Sequence, residues 1–182
     1  MKIEAGKYYH LYNRSNNNEV VFKEEQNYDY FLKKYHTYCD PLFETASYCL
    51  MPTHFHFLVI ARSDDVLSVR KSTALWLSSY TKAINKRFER HGSLFQSHTK
   101  AKEITDGSHL VVLISYIHQN PIRARLVKRL EDWPYSTYRR LIGMSKEEWM
   151  QNRLFSSLFD APRDFQTFSE ASIESVNKEF WV

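Results

Sequence analysis

The stretch MPTHFHFLVI, residues 51–60, places two histidines two positions apart inside an apolar run. In a β-strand, residues two apart share a face. His54 and His56 therefore point together, and Phe55 and Phe57 point to the opposite side. The strand therefore has one aromatic face and one imidazole face. The imidazole face needs a separate explanation.

The segments on either side of this strand predict an antiparallel sheet with helices. Alternating or β-prone patterns predict strands, and apolar spacing of three and four residues predicts helices. The predicted strands span 7–14, 44–51, 54–61 and 93–104, and the predicted helices span 24–40, 66–91, 105–120 and 133–143. Pro121 is expected just beyond the third helix. The order β-α-β-β-α-β-α predicts a ferredoxin-like α+β fold, an antiparallel sheet with helices packed on one face.

Composition indicates a folded domain in a reducing compartment. Of 182 residues, 43% are hydrophobic, which argues against a disordered chain. Cys39 and Cys49 form no CxxC pair, so a disulfide framework is not expected. The N-terminal residues hold no apolar signal core, and the longest aliphatic run, 110–114, is too short to span a membrane. We expect a cytoplasmic protein.

The charge of the chain is unevenly distributed. Residues 1–143 hold 21 basic and 14 acidic side chains, whereas residues 144–182 hold 4 basic and 7 acidic ones. A basic body suits a polyanionic partner, although a well-solvated surface explains the charge equally well. We divide the chain into a domain over 1–143 and an acidic tail over 144–182. The tail's opposite charge suggests that it covers the groove that binds this polyanion.

The two histidines could converge on one divalent metal ion. The alternative is that both are ordinary polar residues on the open face of a sheet, and an isolated HxH pair favours that alternative. Zinc hydrolases of the HxHxDH type also begin with this pair, but here the chain continues with apolar residues. A metal site would need a third ligand from another element.

Tyr116 and Asn120 can supply that ligand and a reactive group. They are four residues apart in a predicted helix and so share one of its faces. The amide oxygen of Asn120 could join two imidazoles around Mg²⁺ or Mn²⁺, with Tyr116 one turn away. The alternative is a core tyrosine and an asparagine that caps the helix before Pro121.

Four blocks of sequence resemble one family, the HUH single-strand transposases with one catalytic tyrosine, in particular the REP-associated tyrosine transposases. The blocks are YYHLYNRSNNNEVVF, YCLMPTHFHFLV, RHGSLFQSHTKAKEI and YIHQNPIRARLVKRLEDWPYSTY, and they occur in order within about residues 6–143. The tail's LFDAPRDFQTFSEAS resembles, more loosely, a C-terminal helix of the family. Ser15 and Arg125 stand where many members have glycine.

The resemblance implies an activity and a set of site residues. Tyr116 matches the family's nucleophile, and His54, His56 and Asn120 match its metal ligands. The implied enzyme is a metal-dependent endonuclease and strand transferase on single-stranded hairpin DNA, working through a 5′-phosphotyrosine as a monomer or homodimer. His10, on the first strand, is assigned at most an auxiliary role at the metal.

The basic residues near these blocks are the predicted DNA contacts. They are Arg14, Lys82, Lys86, Arg87, Lys100, Lys102, Arg123 and Arg125. Tyr8, Tyr12 and Tyr80 could stack on unpaired bases. The alternative for this set is surface charge and core aromatics. A domesticated relative that binds structured single-stranded DNA or RNA without cutting it is the second functional hypothesis.

Overall fold

The computed structural model describes residues 2–145, 155 and 158–171. The parts of the predicted tail outside these ranges lie beyond the described residues. The strands are β1 Tyr8–Arg14, β2 Phe43–Met51, β3 His54–Ala61 and β4 Lys100–Ile104. The longer helices are α1 Glu25–Cys39, α2 Val66–Arg87, α3 Gly107–Arg123 and α5 Pro162–Ala171, and α4 is the short helix Tyr138–Leu141. No helix among the described residues is long and apolar enough to cross a membrane.

The four strands form one antiparallel sheet in the order β2-β3-β1-β4. With α1 between β1 and β2, and α2 between β3 and β4, this is the ferredoxin-like topology. The predicted α+β fold is confirmed. β3 is a central strand, so the histidine pair lies in the middle of the sheet. His56 stands opposite Tyr12 of β1 and Cys49 of β2.

Helices α1 and α2 cover the aromatic face of the sheet, the face that carries Phe55 and Phe57. Phe55 packs with Phe31 of α1 and Trp76 of α2, at ring-centroid distances of 5.3 and 4.9 Å. The indole N–H of Trp76 donates to the main-chain carbonyl of Phe31 at 3.2 Å. Burial of these rings holds both helices on the sheet.

Helix α3 lies on the opposite face, which differs from the expectation that the helices share one face. The physical reason is a second apolar layer on the histidine side of the sheet. Cys49 and Leu58 are fully buried there and cluster with Leu113 and Ile117 of α3. The sequence of β3 does not predict this layer, because the polar residues His54 and His56 interrupt the apolar pattern on that face.

The fourth strand is shorter than predicted and begins at Lys100 rather than at residue 93. Residues 93–99 form a loop that side chains of β1 hold in place. The Asn13 amide donates to the carbonyl of Gln96 at 3.1 Å and to the Thr99 hydroxyl at 3.2 Å. His98 adopts a positive φ of 63°, which breaks the strand geometry.

Helix α3 continues to Arg123 and includes Pro121, which was expected beyond its end. A proline cannot donate to the carbonyl four residues earlier, here that of Ile117. The side-chain amide of Asn120 donates to that carbonyl instead, at 3.3 Å, and so compensates for the missing N–H. Arg125 follows with a φ of 58°, the left-handed conformation for which glycine is preferred.

Helix α4 covers only part of the predicted helix over 133–143. Further along, α5 packs against α3 and buries Phe165 and Ser169. The Ser169 hydroxyl lies 3.2 Å from the hydroxyl of Ser115 on α3. The described helix of the tail, α5, thus packs directly against α3, the helix that carries Tyr116.

Candidate active site

His54 and His56 share one face of β3, as their spacing predicts. Their rings lie 5.1 Å apart between centroids and perpendicular to each other. The Thr53 hydroxyl lies 3.0 Å from Nδ1 of His54. His56 is fully buried, and its Nε2 has no hydrogen-bond partner among the described residues. A buried nitrogen without a partner is costly, and a bound cation would satisfy it.

Burial keeps these imidazoles neutral. It lowers the pKa of His54 to about 4, a shift that a hydrogen bond with Asn120 opposes. It also lowers the pKa of His56 well below the usual range, with a further contribution from the neighbouring His10. Neutral imidazole is the form that binds a metal ion, so both side chains have a ligand's protonation state near pH 7.

His10 contacts the pair from the neighbouring strand. Its Nε2 lies 2.9 Å from Nδ1 of His56, and both rings are buried. Because one nitrogen of His56 is occupied by His10, the other nitrogen is the one available to a ligand. This contact restricts the orientation of the His56 ring. For Nε2 to offer a lone pair to a metal ion, Nδ1 must carry the proton and donate to His10. Sequence spacing alone could not show this contact, since it depends on the register between β1 and β3.

Tyr116 reaches the same face from α3. Its ring centroid lies 5.7 Å from that of His56, and the residue is 5% exposed. Burial raises the pKa of Tyr116 to about 12, while the positive charge of Arg123 and a hydrogen bond with Asn120 act in the opposite direction. The tyrosine is therefore a protonated, largely buried phenol beside the two histidines.

Asn120 lies one turn after Tyr116 and is 9% exposed. Its amide nitrogen donates to the main-chain carbonyls of Tyr116 and Ile117. With the nitrogen held by the helix, the amide oxygen is the end that turns toward His54. The side chain thus combines the two arrangements that the sequence left as alternatives, since it caps main-chain carbonyls and presents an oxygen to His54.

The donor set fits a hard divalent ion. It consists of two neutral imidazoles and one amide oxygen, with an orphaned nitrogen on His56. Among the described residues, no three His, Cys, Asp or Glu side chains form a group that could hold a metal ion. A zinc site of the hydrolase type, which needs a third such ligand, therefore has no support in the described part of the chain.

The predicted DNA contacts fall into separate groups. Lys82 and Lys100 line a cleft of about 1490 Å³ between α2 and residues 92–101, the loop before β4 and the start of that strand. Arg70 also lines it and was not predicted from the sequence. A small pocket continues this cleft toward Tyr12 and Arg14, which pair with His56 and His54 across the β1–β3 ladder. Lys86, Lys102 and Arg125 are exposed, and Arg123 is half-buried beside Tyr116.

Two predicted contacts have other partners. The guanidinium of Arg87 pairs with the carboxylate of Glu24 at 2.7 Å. Tyr80 is fully buried, and its hydroxyl donates to the carbonyl of Val21 at 2.9 Å. The interpretation of Tyr80 as a stacking platform is therefore wrong, because its ring belongs to the aromatic core. Tyr12 is half-buried and retains that role as a prediction.

Comparisons with known proteins agree with the sequence blocks. No family model matches the chain. A protein of Haemophilus influenzae whose name assigns it to the REP-associated tyrosine transposases is 27% identical over 122 residues, which cover 60% of this chain and 68% of the relative. The resemblance to the REP-associated tyrosine transposases is confirmed.

The fold of this chain is also shared with a solved structure. That structure, described as a REP-associated tyrosine transposase bound to a REP hairpin, matches with a TM-score of 0.61. The match covers 83% of this chain and 94% of the other. Because the two sequences are only 17% identical, the match shows a shared fold and no more. The ferredoxin-like sheet of this chain is thus the scaffold of a known transposase.

Proposed function

We propose that the chain is a metal-dependent endonuclease and strand transferase that acts on single-stranded hairpin DNA in DNA transposition. The observation that supports this most is the placement of Tyr116 on α3, directly against the His54 and His56 face of β3. The names of the relatives point to the same substrate, because one of them is bound to a REP hairpin.

The proposed step exchanges one phosphate ester for another. The phenolic oxygen of Tyr116 attacks the scissile phosphorus, the P–O bond to the 3′-oxygen breaks, and a 5′-phosphotyrosine forms. The proton lost by the phenol is balanced by the one gained on the released 3′-hydroxyl. A phenolate is a good leaving group, so a 3′-hydroxyl can reverse the step and join strands.

The residues of the chain prepare this step in different ways. His54, His56 and Asn120 would hold a divalent ion, Mg²⁺ or Mn²⁺, which would supply positive charge to neutralise the phosphate. The buried neutral imidazoles offer lone pairs at pH 7, and Asn120 offers an amide oxygen. Helix α3 positions the Tyr116 oxygen near this face before DNA binds, which lowers the entropic cost of the reaction.

The basic cleft supports a path for DNA to this site. Lys82 and Lys100 can neutralise phosphates along the cleft. Arg14 can do so in the adjoining pocket, where it pairs with His54 across the β1–β3 ladder. The half-buried ring of Tyr12 lies in the same pocket, where an unpaired base could stack on it. The remaining proposed contacts are Lys86, Lys102 and Arg125, with Arg123 closest to Tyr116.

A denaturing gel tests the proposal. The protein is incubated with a labelled pool of single-stranded hairpin oligonucleotides and Mn²⁺, beside an EDTA control and the variants Tyr116→Phe and Tyr8→Phe. We expect an SDS-resistant adduct that requires metal, disappears in Tyr116→Phe and persists in Tyr8→Phe. Adduct formation by Tyr116→Phe would reject the assigned nucleophile. Tight hairpin binding by the wild type without any adduct would instead favour a non-cutting binder.

A further inference from the structure

Gln119 is a fully buried amide that links α5 to α3. Its side-chain nitrogen donates to the main-chain carbonyl of Ser169 at 2.7 Å. This contact sets the orientation of the amide, because only the nitrogen can donate to a carbonyl. The oxygen of the amide must therefore point away from α5.

The oxygen of Gln119 points to Arg123, one turn later on the same helix. It accepts from Nη2 of Arg123 at 3.1 Å and from Nε at 3.4 Å. Two donors of one guanidinium on a single oxygen restrict the plane and direction of the group. Arg123 is thus held in place, and a carbonyl on α5 ultimately determines where it points.

Arg123 is held beside the nucleophile. Residues 116 and 123 are seven apart on α3, so their side chains lie on the same face, two turns from each other. The hydrogen bonds to Gln119 direct the guanidinium of Arg123 back along α3, toward the turn of Tyr116, and its positive charge interacts with the phenol. Arg123 is half-buried, where such an interaction is screened less than on the open surface.

We propose that Gln119 is a positioning residue that holds the Arg123 guanidinium beside Tyr116, where it stabilises the negative charge on the tyrosine oxygen and the adjacent phosphate during strand cleavage and rejoining. This inference rests on the proposed function. A fixed cation at the point where charge develops acts on the chemical step more than on DNA affinity. Arg123 thus differs from the exposed basic residues of the cleft.

A pair of matched variants tests the role of Arg123. Arg123→Gln and Arg125→Gln remove the same charge two residues apart, but Arg125 is exposed. At saturating hairpin, we expect Arg123→Gln to slow adduct formation by about 10- to 100-fold, with the Kd for the hairpin no more affected than in Arg125→Gln. Equal rates in the two variants, or a loss confined to Kd, would overturn the inference.

A double-mutant cycle tests the positioning role of Gln119. Gln119→Met keeps the length of the side chain but removes both polar contacts. If Gln119 acts through Arg123, then Gln119→Met slows the reaction, and the double variant is no slower than Arg123→Gln alone. Additive losses would indicate a merely structural role and overturn the assignment.

A readout without DNA separates this inference from the proposed function. The Nε–H proton of Arg123, assigned through Arg123→Gln, should give an NMR signal protected from exchange with water that is lost in Gln119→Met. An unchanged signal in Gln119→Met would reject the positioning role. If the wild type forms no adduct, the proposed function fails whatever this signal shows. A normal adduct rate in Arg123→Gln rejects only the present inference.

Discussion

The side-chain amide of Asn120 donates to the main-chain carbonyl of Tyr116, one turn earlier in α3, at 2.8 Å. This contact joins the proposed nucleophile and a proposed metal ligand within a single helical turn. It also assigns the two ends of the amide, because the nitrogen serves the helix and the oxygen remains for the histidines.

Asn120→Leu should destabilise the protein by about 1–3 kcal/mol, since the carbonyl of Ile117 would be left without a donor. Pro121 cannot supply one. The free energy of unfolding, measured with urea, checks this. In a Pro121→Ala background, the alanine N–H can bond that carbonyl, and the cost of Asn120→Leu should be smaller. The same cost in both backgrounds would show that the capping role is wrong.

His10→Leu should weaken Mn²⁺ binding by about 10- to 100-fold, because Nδ1 of His56 would lose the neighbour that orients the ring. Isothermal titration calorimetry of the folded protein measures the affinity. Tyr12→Phe is the matched control, since Tyr12 lies on the same strand and face but makes no hydrogen bond to His56. Equal affinity in His10→Leu and the wild type would refute an orienting role for His10.

Stability should fall as the solution becomes acidic. Burial lowers the pKa of His118 to about 3, and those of His10, His54 and His56 are also lowered. Below about pH 6.5 the unfolded chain takes up protons that the folded chain does not, so stability is complete above pH 6.5 and declines toward pH 3 to 4.

The variant His118→Gln isolates one part of this effect. It removes a single buried imidazole, so the loss of stability between pH 7 and pH 5 should shrink by about 2 kcal/mol relative to the wild type. Urea unfolding at both pH values, without added metal, gives the comparison. An identical loss in the variant would mean that His118 is protonated in the folded protein.

Lys82→Gln should weaken hairpin binding. It should also reduce the slope of log K against the logarithm of the salt concentration by about 1, as expected when one phosphate contact is removed. Lys71→Gln is the control, because it removes the same charge from the same helix but does not line the cleft. Fluorescence anisotropy at several salt concentrations measures both. A similar change in the two variants would indicate general electrostatic attraction rather than a path through the cleft.

Much of this architecture follows from local pattern. The alternation of His54, Phe55 and His56 correctly predicts a strand with two different faces, and helical spacing correctly places Tyr116 and Asn120 on one helix. Short-range geometry decides both, so a single sequence is sufficient. The extent of β4 was predicted incorrectly, because the Asn13 side chain from another strand holds the loop before it.

The remaining features depend on contacts between distant segments. The side of the sheet on which α3 packs is determined by Cys49 and Leu58 together, and no single segment shows it. The pairing of His10 with His56 depends on strand register. The contact of Gln119 with Ser169 joins residues 50 positions apart. Such contacts leave no periodic signal in the chain.

A single layer of backbone, the sheet itself, separates the aromatic core from the side chains of the proposed active site. The rings around Trp76 lie on one side, and the imidazoles and Tyr116 lie on the other. An engineer could therefore vary α1 and α2 to obtain a more heat-resistant protein while leaving every reacting group untouched. Changes in α3 would have no such freedom, because that one helix closes the second core layer and also carries Tyr116, the proposed nucleophile.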